Sequence, residues 1–427
     1  MQHSQGGIDM RNVIRTLSVM LMLFVAVSVY ASGSAEESNG TTTITLMHYM
    51  GEQQKQDGLQ QMIDGFTAEN PDVEFEVTAV EISNYLTTLK TLIAAGDTPD
   101  IMFGKPKEHT DLIEAGHLAD LTGAPFLGNL ADGAVPSVTY DDKVYGVPID
   151  LQTMVVYYNQ DVFSEHGLSE PETWSEFVDL MDTLEDNDVA PFAHPYKDSW
   201  TVFVDYFADE YVVREQHPDF YVEIEAGNAD FADYPHFREV LERMYTRVSY
   251  NAGDDWGTDN ATAQNMMATG EAAMYINGSW AVGDFINNFP DTPVGIFSVP
   301  SYEDPEMNKL PIGVDDAWMA AAASENQEIV LEFFDYITSA DAAEDWMRAT
   351  NTISFSDDTG DYEYDAISQQ IVDKLRSGET TNFHAPVLFS SALEDVYRNT
   401  IVEFAASGSD DFDEAIEMFD NRIDEVR

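Results

Sequence analysis

The chain has 427 residues, and 79 aspartates and glutamates against 19 lysines and arginines give it a formal net charge of −60. This charge excludes nucleic acid as a partner and disfavours contact with an anionic membrane surface. The absence of cysteine excludes a disulfide scaffold, and also a lipid anchor, which needs a cysteine at the cleavage point.

The N-terminus is predicted to be a signal peptide covering residues 1–31. Two arginines precede an apolar run at 17–29, which is too short to span a bilayer comfortably. We expect cleavage after Ala31, with Ala35 as the alternative site. The polar, acid-containing segment at the very start suggests that Met10 is the true first residue. An uncleaved anchor helix is the competing interpretation.

The next part of the chain alternates strands and helices. Asp57 is predicted to cap the first helix, whose apolar residues recur at helical spacing, and Gly96 is predicted to end the second. The predicted elements are strands at 43–47, 73–77 and 99–103, and helices from Asp57, from Ser83 to Ala95 and from Thr110. This order implies a parallel sheet with helices on both faces.

A tight turn and a short strand within 143–149 lead to a wholly apolar strand that ends at Asn159. Helices are predicted at the capping boxes Thr173–Glu176 and Ser324–Gln327. Further predicted elements are helices at 200–213, before Gly270 and from Phe412, and strands at 273–276 and 294–299. Since the chain shows no internal repeat and no linker, its length predicts two domains joined by strand crossings and not by a tether.

Several motifs together resemble a known family by their order and spacing. They are Gly96–Ile101, Leu112–Leu118, Tyr145–Pro148 with Tyr157–Asn159, Pro171–Trp174, Gly270–Met274 and Asn277–Trp280. On these residues the chain resembles the extracellular solute-binding proteins of the maltose-binding type, and the resemblance extends over about residues 43–426.

The resemblance implies a periplasmic-binding-protein-like fold, with two α/β lobes joined by a strand-crossing hinge and the ligand in the cleft between them. Lobe 1 would comprise 41–148 plus 301–349, and lobe 2 would comprise 149–300 plus 350–427. It implies a monomeric protein without enzymatic activity or cofactor, which captures a carbohydrate by lobe closure and delivers it to the permease of an ABC importer. Without a lipid anchor such a protein is retained only behind an outer membrane, so we expect it in the periplasm.

Candidate ligand-binding residues follow from the rule that ligands bind beyond the carboxyl ends of strands in open α/β sheets. Tyr49 and Glu52 follow the first strand, and Lys105 follows the third. Gly104 stands where the family often has an aromatic residue, so the stacking surface of lobe 1 stays unassigned.

Asp150 and Gln152 lie just past the predicted crossing between the lobes. Gln152 matches a position where the family places a sugar-binding acid. Because an amide donates and accepts hydrogen bonds while a carboxylate only accepts them, this substitution implies a different sugar.

Trp280 is the leading ligand candidate, because its flat apolar face suits the C–H face of a pyranose and its N–H can find a polar partner. The other candidates are Trp200, Asn277, Asp315, Asp316 and Trp318. For each of these the alternative is an ordinary place in the core or on the surface.

Other kinds of site find no support in the sequence. The histidines show no metal-binding spacing, and neither a GxSxG motif nor a phosphate-binding loop is present. The segment 357–361 resembles a calcium loop only loosely, because Tyr362 stands where an EF-hand needs glycine, and we interpret it as an acidic turn. The remaining alternatives are a glycerol phosphodiester as ligand, a sensor with the same fold, and, remotely, a carboxylate-based glycosidase.

The acidic surface repels itself in dilute buffer, and at about 1 M salt, where the Debye length is ~3 Å, this repulsion is screened. An exported protein meets the external salt directly, so the composition predicts a halophilic host. The alternative is a moderately acidic member of the family.

Overall fold

The computed structural model of the protein describes residues 41–427 except 131–133, 315, 354–361, 378–379 and 383–388. The predicted signal peptide at 1–31 and the acidic turn at 357–361 therefore lie outside the described residues. Among the described helices, none is long and apolar enough to cross a membrane.

The described strands form two large sheets and one separate two-stranded sheet. They are β1 Thr42–His48, β2 Val73–Ala79, β3 Ile101–Gly104, β4 Thr139–Tyr140, β5 Lys143–Val144, β6 Val147–Pro148, β7 Leu151–Asn159, β8 Ala190–Phe192, β9 Ala272–Gly278, β10 Val294–Phe297, β11 Leu310–Val314, β12 Ala317–Ala320 and β13 Thr380–Asn382.

Helices connect the strands and cover the sheets. They are α1 Gln53–Glu69, α2 Ile82–Ala95, α3 Thr110–Glu114, α4 Gln160–His166, α5 Trp174–Asp186, α6 Trp200–Gln216, α7 Phe220–Glu225, α8 Pro235–Ser249, α9 Asn260–Thr269, α10 Val282–Asn288, α11 Gln327–Ile337, α12 Ala340–Thr350, α13 Ala366–Ser377, α14 Ser391–Ser407 and α15 Phe412–Asp424.

A five-stranded sheet in the order β2-β1-β3-β12-β6 is the centre of the first lobe. Strand β1 is parallel to both β2 and β3, which confirms the predicted β-α-β-α-β unit. Strand β12 runs antiparallel to β3 and β6, so the sheet is mixed at one side. Helix α1 packs against α12 and α11 over this sheet, with Leu59, Ile63 and Phe66 buried.

A six-stranded sheet in the order β13-β11-β7-β9-β8, with β10 also paired to β7, is the centre of the second lobe. Its central strand β7 is buried from Gln152 to Asn159. This agrees with the prediction of a wholly apolar strand that ends at Asn159. Asn159 then caps α4 by accepting hydrogen bonds from the amides of Asp161 and Val162. The polar residue at the strand end thus starts the following helix.

The chain passes between the two sheets where β6 leads into β7 and where β11 leads into β12. A third passage follows α12, where Ile353 forms an isolated bridge with Leu151 of β7. Strand β11 belongs to the second sheet, although it falls within the 301–349 segment expected for the first lobe. The residue boundaries of the lobes remain a prediction.

Two predicted helix starts were wrong. Helix α1 begins four residues before Asp57, directly after Glu52, and Asp57 instead accepts a hydrogen bond from Gln53 within the helix. Helix α11 begins at Gln327, the last residue of the predicted capping box, and its N-cap is Asn326 and not Ser324. Ser324 is drawn away from the helix because its hydroxyl bonds Asp100 of the first lobe. At Thr173, by contrast, the predicted cap is confirmed, because its hydroxyl accepts from the amide of Glu176.

Candidate ligand-binding cleft

A cleft of about 400 Å³ lies between the two lobes, a volume within the range of small-molecule sites. Most of its wall is apolar, and the charged groups are confined to a few positions. Its lining consists of Tyr49, Met50, Gly51, Glu52, Lys55, Ile82, Tyr85, Leu86, Phe103, Lys105, Glu108, His109, Met154, Trp200, Phe203, Val204, Phe207, Trp280, Asp316 and Arg398.

The end of β1 supplies one wall of the cleft, as the strand-end rule predicts. The ring of Tyr49 packs edge-on against Tyr85 and Phe103, with 4.9 Å between ring centroids in each case. Its hydroxyl donates a hydrogen bond to Asp316, the residue that precedes β12. The two aromatic neighbours and this bond fix the Tyr49 ring in the wall.

Glu52 lies at the start of α1, where the chain leaves the wall. Burial raises the pKa of the Glu52 carboxyl, the positive charge of Lys55 opposes this shift, and the carboxylates of Asp284 and Asp150 add to it. Lys55 forms an ion pair with the buried Asp150 at 3.5 Å. The predicted residue Asp150 therefore does not line the cleft. It lies behind Lys55, which does line it.

A second wall follows β3, where Gly104 has a φ of +151°. A Cβ at this position would lie 3.0 Å from Nε2 of His109, so the imidazole occupies the space of a side chain at 104. Burial lowers the pKa of His109, and its Nδ1 atom is buried without a hydrogen-bond partner. A neutral imidazole thus stands where the family often places an aromatic ring.

Helix α6 contributes the floor of the cleft on the side of the second lobe. Four of its residues share the cleft-facing stripe at helical spacing: Trp200, Phe203, Val204 and Phe207. On another face of the helix, Asp205 and Asp209 bond the buried guanidinium groups of Arg247 and Arg243 at 2.7 and 2.6 Å. Because these ion pairs fix the rotation of the helix, they also fix the direction of the stripe.

Trp280 stands beside this stripe in the 3-10 turn that follows β9. Its ring centroid is 6.0 Å from that of Trp200, and the two planes meet at 58°. A Cβ at Gly278 would lie only 2.1 Å from the Trp280 ring, so the turn requires glycine there. The two indoles form an angled apolar corner.

Arg398 reaches the cleft from α14, near the C-terminus. Its guanidinium carbon lies 5.2 and 5.6 Å from the ring centroids of Phe203 and Phe207. Its Nη2 donates to Glu108 of the first lobe at 2.6 Å, and its Nε donates to Glu394 at 2.7 Å. This cation therefore connects the two lobes within the cleft wall.

Six of the predicted site residues line the cleft: Tyr49, Glu52, Lys105, Trp200, Trp280 and Asp316. Four others are buried behind it: Asp150, Gln152, Asn277 and Trp318. Gln152 accepts a hydrogen bond from the Ser279 hydroxyl at 2.6 Å, and Asn277 donates to Asn260 at 2.8 Å. Trp318 packs on Phe103. Asp315 lies outside the described residues.

Sequence reasoning missed several residues of the lining. These are chiefly Lys55, Glu108, His109, Phe203, Phe207 and Arg398. The spacing of Trp200, Phe203 and Phe207 was a usable signal, because it predicts one face of a helix. For Arg398 no local pattern exists, since only the folded chain brings α14 to the cleft.

The charges of the lining differ from those of the whole chain. Three carboxylate residues, Glu52, Glu108 and Asp316, face three cationic residues, Lys55, Lys105 and Arg398. No group of three or more potential metal ligands occurs among the described residues. The cleft is therefore apolar and close to neutral in a strongly acidic protein.

Comparisons with known proteins identify the family to which the chain is similar. The family described as bacterial extracellular solute-binding protein matches residues 51–344. A multiple sugar-binding protein of Streptococcus mutans is 26% identical over 337 residues, which is 74% of this chain and 76% of that relative. An uncharacterized ABC transporter extracellular-binding protein of Pyrococcus horikoshii is 22% identical over 388 residues, 85% of each chain.

A solved structure supports the same fold. A chitin oligosaccharide binding protein superposes with a TM-score of 0.78 and 22% identity, over 90% of this chain and 99% of that one. At this level of identity the likeness concerns the fold alone.

Proposed function

Since the chain belongs to the family of bacterial extracellular solute-binding proteins, we propose that it captures a carbohydrate in the cleft between its lobes. Closure of the lobes around the ligand then shifts the protein to a closed form. The closed form delivers the sugar to the membrane permease of an ABC importer. The protein acts as a monomer in the periplasm, binds no nucleic acid and performs no chemistry on the sugar.

The corner formed by Trp200 and Trp280 carries this proposal. A pyranose has an apolar C–H face that packs on an indole ring, and hydroxyl groups at its edge that need hydrogen-bond partners. The corner offers two indoles, and Glu52, Lys105 and Asp316 line the same cleft. An apolar wall with a few polar groups is the usual form of a small-molecule site.

The names of relatives support the same substrate class. Relatives named as multiple sugar-binding, maltodextrin-binding and galactooligosaccharide-binding proteins cover most of this chain. The four buried candidates, Asp150, Gln152, Asn277 and Trp318, act in our proposal as the framework behind the cleft.

Intrinsic tryptophan fluorescence in molar NaCl tests the proposal with glucose, galactose, maltotriose, raffinose, xylotriose and chitotriose. We expect a saturable change with at least one sugar. In Trp280→Ala the affinity should fall at least roughly tenfold, about 1.4 kcal/mol, because the stacking surface is lost. Trp256→Ala is the matched control, since Trp256 is exposed and outside the cleft lining.

Recovery of the sugar after the titration separates binding from catalysis. We expect the sugar unchanged, whereas cleavage products would indicate a glycosidase. A folded protein that responds to no sugar of the panel, but responds to a glycerol phosphodiester, would contradict the carbohydrate assignment.

A further inference from the structure

Arg398 and Glu108 face each other across the cleft from opposite lobes. Glu108 ends the 3-10 turn that follows β3, and Arg398 lies on α14, which packs against α6. Their side chains are 21% and 20% exposed and are joined at 2.6 Å. Both line the cleft, so the ion pair belongs to its inner wall and not to the outer surface.

The guanidinium of Arg398 is held in a fixed plane. The rings of Phe203 and Phe207 lie below it, and its Nε–H donates a hydrogen bond to the buried carboxyl of Glu394 at 2.7 Å. A guanidinium has five N–H donors, and the bonds to Glu394 and Glu108 account for two of them. The fixed plane therefore presents further donors at a defined position in the cleft.

This position lies at the far end of the apolar stripe from Trp280. Trp280 contacts Trp200, the first residue of α6, whereas Arg398 lies over Phe203 and Phe207. Phe203 and Phe207 follow Trp200 by three and seven positions, and the guanidinium lies at similar distances from both rings. At 1.5 Å per residue this places it about 7 Å from Trp200 along the helix axis. This distance exceeds the width of one pyranose ring.

A cation beside a carboxylate matches a pair of neighbouring hydroxyl groups, because one hydroxyl accepts from the guanidinium and the other donates to the carboxylate. A charged sugar fits less well. A uronate would meet the negative charge of Glu108, and an amino sugar would meet the positive charge of Arg398.

We propose that Arg398 and Glu108 form a second hydroxyl-binding site, between one and two helical turns from the tryptophan corner, so that the ligand is a neutral oligosaccharide of at least two pyranose rings. One ring packs in the corner of Trp200 and Trp280, and a further ring bonds the ion pair. The inference rests on the proposed function.

The test measures affinities of the wild type, Glu108→Gln and Arg398→Lys for maltotriose, raffinose, xylotriose and chitotriose, for their monosaccharides, and for digalacturonate. We expect both variants to lose at least about tenfold in affinity for the oligosaccharide that the wild type binds best. The corresponding monosaccharide, held in the tryptophan corner, should lose much less affinity than the oligosaccharide, because for it the variants weaken only the contact between the lobes.

Glu215→Gln is the matched control, because it removes one carboxylate from the Lys309–Glu215 pair outside the cleft lining. Its affinities should equal those of the wild type. Thermal unfolding of each variant checks folding, and should Arg398→Lys fail to fold, Glu108→Gln carries the test alone.

Three outcomes would overturn the inference. An equal loss for the monosaccharide and the oligosaccharide would show that the pair acts only through lobe closure. Unchanged affinity in both variants, or tighter binding of digalacturonate than of every neutral sugar, would contradict the hydroxyl site while leaving sugar binding intact. A wild type that binds no sugar at all would overturn the proposed function as well.

Discussion

Single side chains in the cleft owe their positions to glycines and to buried partners. Trp280 keeps its orientation because Gly278 leaves room for the ring, and His109 fills the space that Gly104 leaves open. Burial raises the pKa of the Glu52 carboxyl against the opposing effect of Lys55. Each of these effects can be tested by one substitution.

Because the pKa of Glu52 is raised, ionisation of its carboxyl is predicted to lower the stability of the folded state as the pH rises. The folded state binds the proton more tightly than the unfolded state, where the pKa is about 4.3. The contribution of this group to stability is therefore present below that pH and is lost as the pH rises through the folded pKa. Glu52→Gln should match the wild type near pH 4 and unfold at a higher temperature than the wild type at neutral pH.

Thermal unfolding between pH 4 and 8 measures this difference. Glu76→Gln on the exposed face of β2 is the control for the loss of one negative charge. A gap between Glu52→Gln and the wild type that stays constant with pH, or that has the opposite sign, would contradict the prediction.

The predictable and unpredictable residues differ in a physical way. The sequence pointed to Trp280 because it carries a large, flat, apolar side chain just after a strand, and this residue does line the cleft. Gln152 has the same sequence signal as a ligand-binding residue, but the sheet buries it and Ser279 satisfies its oxygen. A buried amide and an exposed one are identical in sequence, so only the fold separates them.

At the scale of elements, the cleft is held by contacts between helices of opposite lobes. Gln54 in the first turn of α1 donates to Asp284 of α10 at 3.3 Å. Gly283 lies so close that a Cβ there would stand 2.8 Å from the Gln54 amide nitrogen. The first turn of α1 is polar for this reason. Because this turn has no apolar stripe, the sequence prediction placed the start of the helix too late, at Asp57.

The close approach at Gly283 predicts that Gly283→Ala weakens ligand binding without weakening the fold. Alanine favours a helix by up to ~1 kcal/mol over glycine, so α10 itself should not lose stability. The added methyl group displaces Gln54 and removes a hydrogen bond between the lobes worth about 1 kcal/mol, which corresponds to roughly fivefold in affinity.

Sugar titration and small-angle X-ray scattering of the ligand-free protein measure the two effects. We expect a weaker affinity and a larger radius of gyration than in the wild type. Gly128→Ala is the control, because a Cβ at 128 meets no atom within 4 Å. Unchanged affinity together with an unchanged radius would show that the α1–α10 contact does not govern closure.

At the scale of the whole molecule, the acidic charge and the near-neutral cleft have separate consequences. The chain carries a net charge of −60, while three cations balance three carboxylates in the cleft lining. The folded state therefore repels itself over its surface, whereas a neutral ligand in the cleft experiences little of this field.

We predict that stability rises with salt while affinity for a neutral sugar does not change. Between 0.1 and 1 M NaCl the Debye length falls from about 10 to about 3 Å, which screens the repulsion. The unfolding midpoint should rise by roughly 5 °C or more, on the order of 1 kcal/mol for each 2 °C at this size. A midpoint that stays constant would contradict a halophilic adaptation, and an affinity that falls steeply with salt would contradict a neutral site.

The fold was predictable to a larger extent than the site. The β-α-β-α-β unit, the buried strand β7 and the glycine that ends α2 depend on local spacing, and the structure confirms them. The pair of Arg398 and Glu108 depends on two segments that meet only after the chain has passed between the lobes three times. Local patterns contain no information about such a meeting, which explains why Arg398 was missed.

The strand order of the first sheet also determines when that sheet can form during synthesis. Strand β12 pairs with both β3 and β6, and all of β7 to β11 is translated before it. Until Ala317–Ala320 has left the ribosome, β3 and β6 each keep an unpaired edge, and such edges are prone to pair with other chains. A chain terminated or cleaved before Ala317 therefore cannot yield a finished first lobe, and the two lobes mature together late in biosynthesis.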